Sequence, residues 1–261
     1  MATLRLVRDE SAEEAPAPRR GGWLVVRGVR RTLRRFRDGW RTLPRESWLR
    51  WLGVAALGLA LCCALMLGIA KLGMWLAPRG MQETDARLLR WIADELPRSF
   101  SNAIWAETPG NGVFLIPVIL AAAAFMAWAG RPLQALTLLA GFFLIDVMVL
   151  LGWHTWDRPR PHLIAGGLAS PGFHSFPSGH ISQVVVSYGL FVYLWARATR
   201  SRSERAVAVL LLLALVAVVG LARLRLGAHW PSDIVAGALI GAAWLASVIA
   251  ALRAAEARGG R

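Results

Sequence analysis

The chain contains five histidines, His154, His162, His174, His180 and His229, and all lie between long apolar runs or at their edges. Three polar stretches around them carry residue types suited to phosphate chemistry. Residues 156–161 read Trp-Asp-Arg-Pro-Arg-Pro, so Arg158 and Arg160 alternate with prolines on a stiff cationic strip. Guanidinium groups present forked donors that match phosphoryl oxygens, and the same strip also suits an interfacial anchor. Residues 176–180 read Phe-Pro-Ser-Gly-His and lead into an apolar run. Ser178 is placed to cap a helix, and Gly179 lets a ligand approach the backbone closely. The free amides and dipole of that helix start attract an anion, with His180 beside it in the first turn. Residues 223–233 read Arg-Leu-Arg-Leu-Gly-Ala-His-Trp-Pro-Ser-Asp, with Pro231, Ser232 and Asp233 forming a helix start. The spacing lets Asp233 reach back to an imidazole nitrogen of His229. A carboxylate there fixes the tautomer and raises nucleophilicity at the other nitrogen.

What must position these groups is set by composition. Of the 261 residues, 56% are hydrophobic and 18% charged, and mean hydropathy is +0.47. These values exclude a disordered chain, a disulfide scaffold and a collagen-like chain, and point to an all-α polytopic membrane bundle. About six runs of spanning length lie near 51–76, 112–129, 133–153, 180–197, 206–223 and 233–252. Arginines cluster before the first run, at Arg131, at Arg197, Arg200, Arg202 and Arg205, and at Arg253, Arg258 and Arg261, all in alternate connections. By the positive-inside rule both termini are cytoplasmic and segments 77–111, 154–179 and 224–232 face outward, with the active site. The integral protein is therefore expected in a bacterial cytoplasmic (inner) membrane.

Residues 1–21 read as a disordered cytoplasmic tail, and 253–261 as a short basic one. In 22–50, Val25, Val29, Leu33, Phe36, Trp40 and Leu43 recur at helical spacing among arginines, a basic amphipathic helix suited to an anionic bilayer surface. The net charge of +14 is assigned to this membrane contact and the loops rather than to nucleic acid, because an apolar span follows at once. Cys62 and Cys63 are adjacent in an apolar run and cannot bridge each other without strain. In 77–111, Thr84 is expected to cap a helix whose stripe is Leu88, Leu89, Trp91, Ile92 and Leu96. That helix lies on the outer membrane surface or packs as a loop over the bundle. Lys71 reads as a snorkelling anchor. Asp146, inside the third span, either supports Arg223 or Arg225 or makes an interhelical hydrogen bond.

Taken in order, Arg-Pro, then Pro-Ser-Gly-His, then Arg followed by five residues, His, three residues and Asp, the chain resembles the type 2 phosphatidic acid phosphatase family over residues 51–252. These are integral-membrane lipid phosphatases related to acid phosphatases and vanadium haloperoxidases. The resemblance implies that His229 is the nucleophile and forms a phosphohistidine, that Asp233 orients it, and that His180 protonates the leaving oxygen. It implies that Arg160, Arg223, Ser178 and the Gly179 amide hold the phosphoryl oxygens, with no metal or other cofactor. The implied substrate is a lipid phosphate or diphosphate, of the phosphatidate, phosphatidylglycerol phosphate, polyprenyl diphosphate or lipid A type. The same motifs fit a lipid phosphotransferase, or an inactive lipid-phosphate-binding scaffold. The family's first motif opens with a lysine seven residues before the second arginine, and Trp153 stands there in this chain. Arg158 is the first choice for the missing cation and Arg225 the second. The third motif opens with Ala222 where serine is usual.

Overall fold

Each of the six apolar runs forms one long helix, and local signals mark where most of them begin. The computed structural model describes residues 20–95, 100–164 and 174–257. The helices are α1 (Arg20–Thr42), α2 (Arg45–Leu76), α3 (Met81–Glu95), α4 (Phe100–Glu107), α5 (Gly112–Trp128), α6 (Pro132–Thr155), α7 (Gly179–Ala198), α8 (Arg202–Arg225) and α9 (Pro231–Glu256). Helices α2 and α5 to α9 are long and apolar enough to span a membrane, the six expected. Pro132 and Pro231 open α6 and α9, where the missing N–H costs nothing. Asn111 and Ser201 cap α5 and α8 by accepting from the amides of Val113 and Glu204.

The N-terminal boundary differs from expectation. Residues 45–50 belong to the spanning helix α2 and not to the basic helix, because Pro44 separates the two. Residues 1–19 and 258–261, most of the two expected tails, lie outside the described residues; 253–256 continue α9. The apolar stripe of α1 is exposed at Val29, Leu33 and Trp40. Among the described residues its C-terminal half docks: Arg35 lies 5.1 Å from the Trp128 ring centre, and Gly39 packs against Gly130 and Pro132. This holds α1 at the α5–α6 turn, the end of the bundle opposite the three polar motifs.

Helix α2 packs along α9 and α6, and α7 packs against α9, α8 and α6. Met66, Ile145, Met148, Leu190, Ile240 and Trp244 meet in the centre. Apolar side chains gain little from leaving lipid for one another, so close packing and interhelical hydrogen bonds hold such a bundle. Trp244 Nε1 donates to Gly141 O at 3.0 Å, and Trp51 Nε1 to Thr137 Oγ1 at 3.0 Å. Asp146 takes the second of its two expected roles: it accepts from Gln183 of α7 at 2.8 Å, an α6–α7 bond rather than a support for an arginine.

Helices α3 and α4 cover the end where α6 and α8 finish and α7 and α9 start. Helix α3 begins at Met81, three residues before the expected cap, and Thr84 Oγ1 donates to Gly80 O inside its first turn. Leu89 and Ile92 pack on Ile164, Leu224 and Trp230, whereas Leu88 and Trp91 are exposed. The helix is thus both a cover over the bundle and an exposed amphipathic surface; Leu96 lies outside the described residues. Helix α4 was not legible in the sequence. It packs on α8, and Tyr188 of α7 pins the turn after it by donating to Pro109 O at 3.1 Å.

Candidate active site

The start of α9 organises the site. The first-turn amides of a helix lack internal partners, and Asp233, the third residue of α9, satisfies one of them. Its Oδ2 accepts from Trp230 N at 2.8 Å, and its backbone carbonyl accepts from Ser178 N at 3.1 Å. That second bond ties the start of α7 to the start of α9. The two helices touch closely: a Cβ added at Gly237 would lie 2.6 Å from Ser178 O. Gly237→Ala is therefore expected to destabilise the protein by about 1–3 kcal/mol through overpacking. The readout is a lower thermal midpoint in detergent. Gly53→Ala, where a Cβ meets nothing within 4 Å, should leave the midpoint essentially unchanged.

His229 lies in the short connection between α8 and α9 and is 2% exposed. Its Nδ1 is 2.7 Å from Ser175 O and 3.8 Å from Asp233 Oδ2. A carbonyl only accepts, so Nδ1 carries the hydrogen and Nε2 carries the lone pair. His229 Nδ1 thus donates to a backbone carbonyl rather than directly to Asp233, while the carboxylate stays within electrostatic reach. Burial pushes the His229 imidazole below its ordinary value; Asp233 opposes the shift and the Arg223 and Arg160 charges add to it.

Arg158 stands elsewhere than the cationic strip suggested. It is 2% exposed, and both terminal nitrogens are engaged by protein. Nη1 donates to Asp233 Oδ1 at 2.6 Å and to Ser232 Oγ at 2.7 Å; Nη2 donates to Asp85 Oδ2 at 2.7 Å and to Gln82 Oε1 at 2.6 Å. The expectation that Arg158 holds phosphate in place of a lysine is therefore corrected: its fork is spent on two buried carboxylates. Trp153 supplies no cation either, its Nε1 donating to Pro177 O at 3.3 Å. Asp85 was not foreseen, since an acidic residue in a helix with exposed faces carries no distinctive local pattern.

Arg160 and Arg223 form the remaining cationic pair, close enough to influence one another, with Asp233 and Glu107 also in range. Burial, and then the neighbouring Arg223 charge, press the Arg160 guanidinium below its ordinary value, against the opposing pull of both carboxylates. Arg223 is 5% exposed and ion-paired through Nη1 with Glu107, the last residue of α4. Glu107 was also missed by the sequence reading. His180 lies near Arg223, His229 and Arg160. Ser178 occupies the N-cap position of α7, but its hydroxyl makes no capping bond. Among the described residues, Ser178 Oγ, His180 Nε2 and Arg223 Nε are buried without a hydrogen-bond partner, and such groups are rare unless something else satisfies them. A Cβ at Gly179 would meet only Val149, at 3.5 Å, so packing does not require glycine there.

The remaining histidines lie outside this cluster. His154 and His162 are exposed, and His174 pairs with Asp157 and lies 6.0 Å from the Trp153 ring.

The arrangement is a helical membrane bundle whose one end gathers two arginines, two histidines and a helix N-terminus around buried polar atoms with no protein partner. Residues 133–256 match the PAP2 superfamily, in agreement with the resemblance carried by the motifs. The chain is 25% identical over 227 residues to a lipid A 1-phosphatase of Rhizobium johnstonii, covering 79% of this chain and 86% of the relative. It superposes on the crystal structure of a transmembrane PAP2-type phosphatidylglycerolphosphate phosphatase from Bacillus subtilis with a TM-score of 0.56 and 21% identity. That match covers 73% of this chain and 94% of the other, and it shows that the fold is that of a transmembrane PAP2 protein.

Proposed function

We propose that this protein hydrolyses the phosphate of a membrane lipid through a phosphohistidine on His229, without a metal ion. The observation that carries the reading is the His229 imidazole. It is buried, its Nδ1 is held by Ser175 O, and its Nε2 is left basic beside Arg160 and Arg223. Phosphoryl transfer is mainly positioning and charge neutralisation, and two arginines with the α7 N-terminus provide both.

The Nε2 lone pair attacks phosphorus, and the bond to the lipid oxygen breaks. His180 gives that oxygen a proton. Water then attacks the phosphohistidine and passes a proton to His180, which releases inorganic phosphate and restores both rings. Arg160, Arg223, the Ser178 hydroxyl and the Gly179 amide hold the phosphoryl oxygens throughout. Asp233 supports the positive charge that grows on the imidazole. The proposed setting is a bacterial inner membrane, with the site on the outer face, both termini cytoplasmic and α1 on the anionic inner surface; the alternate Arg-rich connections support it.

The deciding experiment is phosphate release by purified protein in detergent. The panel is lipid A, phosphatidate, phosphatidylglycerol phosphate, a polyprenyl diphosphate and a soluble phosphomonoester. Lipid A comes first because the sequence relative bears that name. Release from at least one lipid, unaffected by EDTA, is expected. The acid limb of kcat/KM should lie below pH 6.5, because burial favours the neutral imidazole that attacks. Silence on every lipid, or complete loss in EDTA with recovery on adding a divalent ion, would overturn the reading. Phosphate appearing on a second lipid rather than in water would make the protein a phosphotransferase.

A further inference from the structure

Two buried carboxylates share one guanidinium behind His229. Asp85, Arg158 and Asp233 are 4%, 2% and 0% exposed. Asp85 comes from α3, outside every motif, and does three things at once. Its Oδ2 takes Arg158 Nη2 at 2.7 Å, its Oδ1 takes the backbone N–H of Ser232 at 3.0 Å, and Oδ2 also accepts from the Ser232 hydroxyl. Arg158 is clasped between the Trp156 and Trp230 rings, at 4.8 and 5.2 Å from their centres, and holds Asp233 with its other nitrogen.

We infer that Asp85 is a positioning residue for the reaction at His229, acting through Arg158 and the first turn of α9 to fix Asp233 in place. The inference rests on the function proposed above. One fork tine of Arg158 is committed to Asp85, so only the other is available to Asp233. Asp233 Oδ2 is then free to face Trp230 N and the imidazole. Without Asp85, the fork can close on both oxygens of Asp233 and draw the carboxylate away from the ring. Charge works in the same direction. Two carboxylates and one guanidinium leave a net negative cluster behind an imidazole that becomes cationic when Nε2 bonds phosphorus. Among the described residues, His180 lies beside His229, Glu107 is ion-paired with Arg223, and the nearby cations are the guanidinium groups of Arg160 and Arg223. Removing Asp85 leaves their positive charge less opposed. Its contribution is therefore to the chemical step and not to substrate binding.

The test is Asp85→Asn, which keeps the shape and an acceptor for Ser232 but removes the charge. A kcat about ten- to a hundredfold lower is expected, the range that small misplacements of reacting groups produce. KM should stay within about threefold, and the acid limb should move to lower pH. A kcat and acid limb both unchanged, or a loss confined to KM, would overturn the inference. Where Asp85→Asn fails to fold, Ser232→Ala replaces it, because it breaks the hydroxyl link between Asp85 and Arg158. A several-fold lower kcat at unchanged KM is then expected, and wild-type kinetics would count against the idea. The titration of His229, followed by nitrogen-15 NMR in detergent, separates this inference from the function reading. Should the wild type release no phosphate from any lipid, the proposed reaction fails. A downward shift of the His229 titration in Asp85→Asn still supports the Asp85–Arg158–Asp233 coupling, and no shift removes it.

Discussion

His229→Ala is expected to reduce phosphate release by at least about a thousandfold, since the nucleophile itself is gone. The acid-labile phosphoprotein trapped by quenching the wild type during turnover should vanish with it. The fold should survive, because among the described residues the His229 ring is hydrogen-bonded to the Ser175 carbonyl, and Ser175 keeps its backbone bond to Arg158 O at 2.9 Å. His180→Ala should behave differently. Turnover slows, but phosphoprotein still forms on substrates with a good leaving group, since the proton His180 gives matters least there. Activity within a few-fold of wild type in His229→Ala would remove that residue as nucleophile, and phosphoprotein persisting in it would point to another.

Arg158→Ala should produce the second large effect, on stability as well as on activity. Asp85 and Asp233 would be left buried, close together and without their shared cation. Breaking a buried ion pair by removing one partner costs about 3–5 kcal/mol. A marked fall of the thermal midpoint in detergent is therefore expected, along with loss of turnover. Trp153→Lys should restore neither, because Trp153 hydrogen-bonds Pro177 O and Arg158 lies on the carboxylates. A phosphate ligand would behave in the opposite way, with the midpoint preserved and turnover recovered by a new cation at 153. A stable Arg158→Ala rescued by Trp153→Lys would return Arg158 to the substrate.

The fold class was legible without coordinates, and so were the segments that form the candidate site. Six apolar runs of spanning length force six helices, because a backbone in hydrocarbon must satisfy its own hydrogen bonds. The starts of α7 and α9 were marked by the Pro177–Ser178–Gly179 turn and by Pro231 with Asp233, both local chemistry. The candidate residues 178–180, 223, 229 and 233 come together in the fold because spacing within a motif survives as proximity within one turn or one helix end.

What the chain alone left open was which charge meets which. Arg158 and Arg160 lie two residues apart on one strip and look equivalent, yet Arg158 turns to Asp85 and Asp233 while Arg160 lies near Arg223. The carboxylates that decide this, Asp85 and Glu107, come from α3 and α4, and only the packing of those helices over the bundle end brings them in. Ser175 O, which holds His229, is a backbone group and leaves no trace in residue type. Asp146 met Gln183 and not an arginine for the same reason: its partner depends on the register of α6 against α7. Helix formation and motif spacing are governed by near neighbours along the chain. A buried ion pair forms between groups far apart in sequence, and only where tertiary packing removes water from both does the choice of partner become definite.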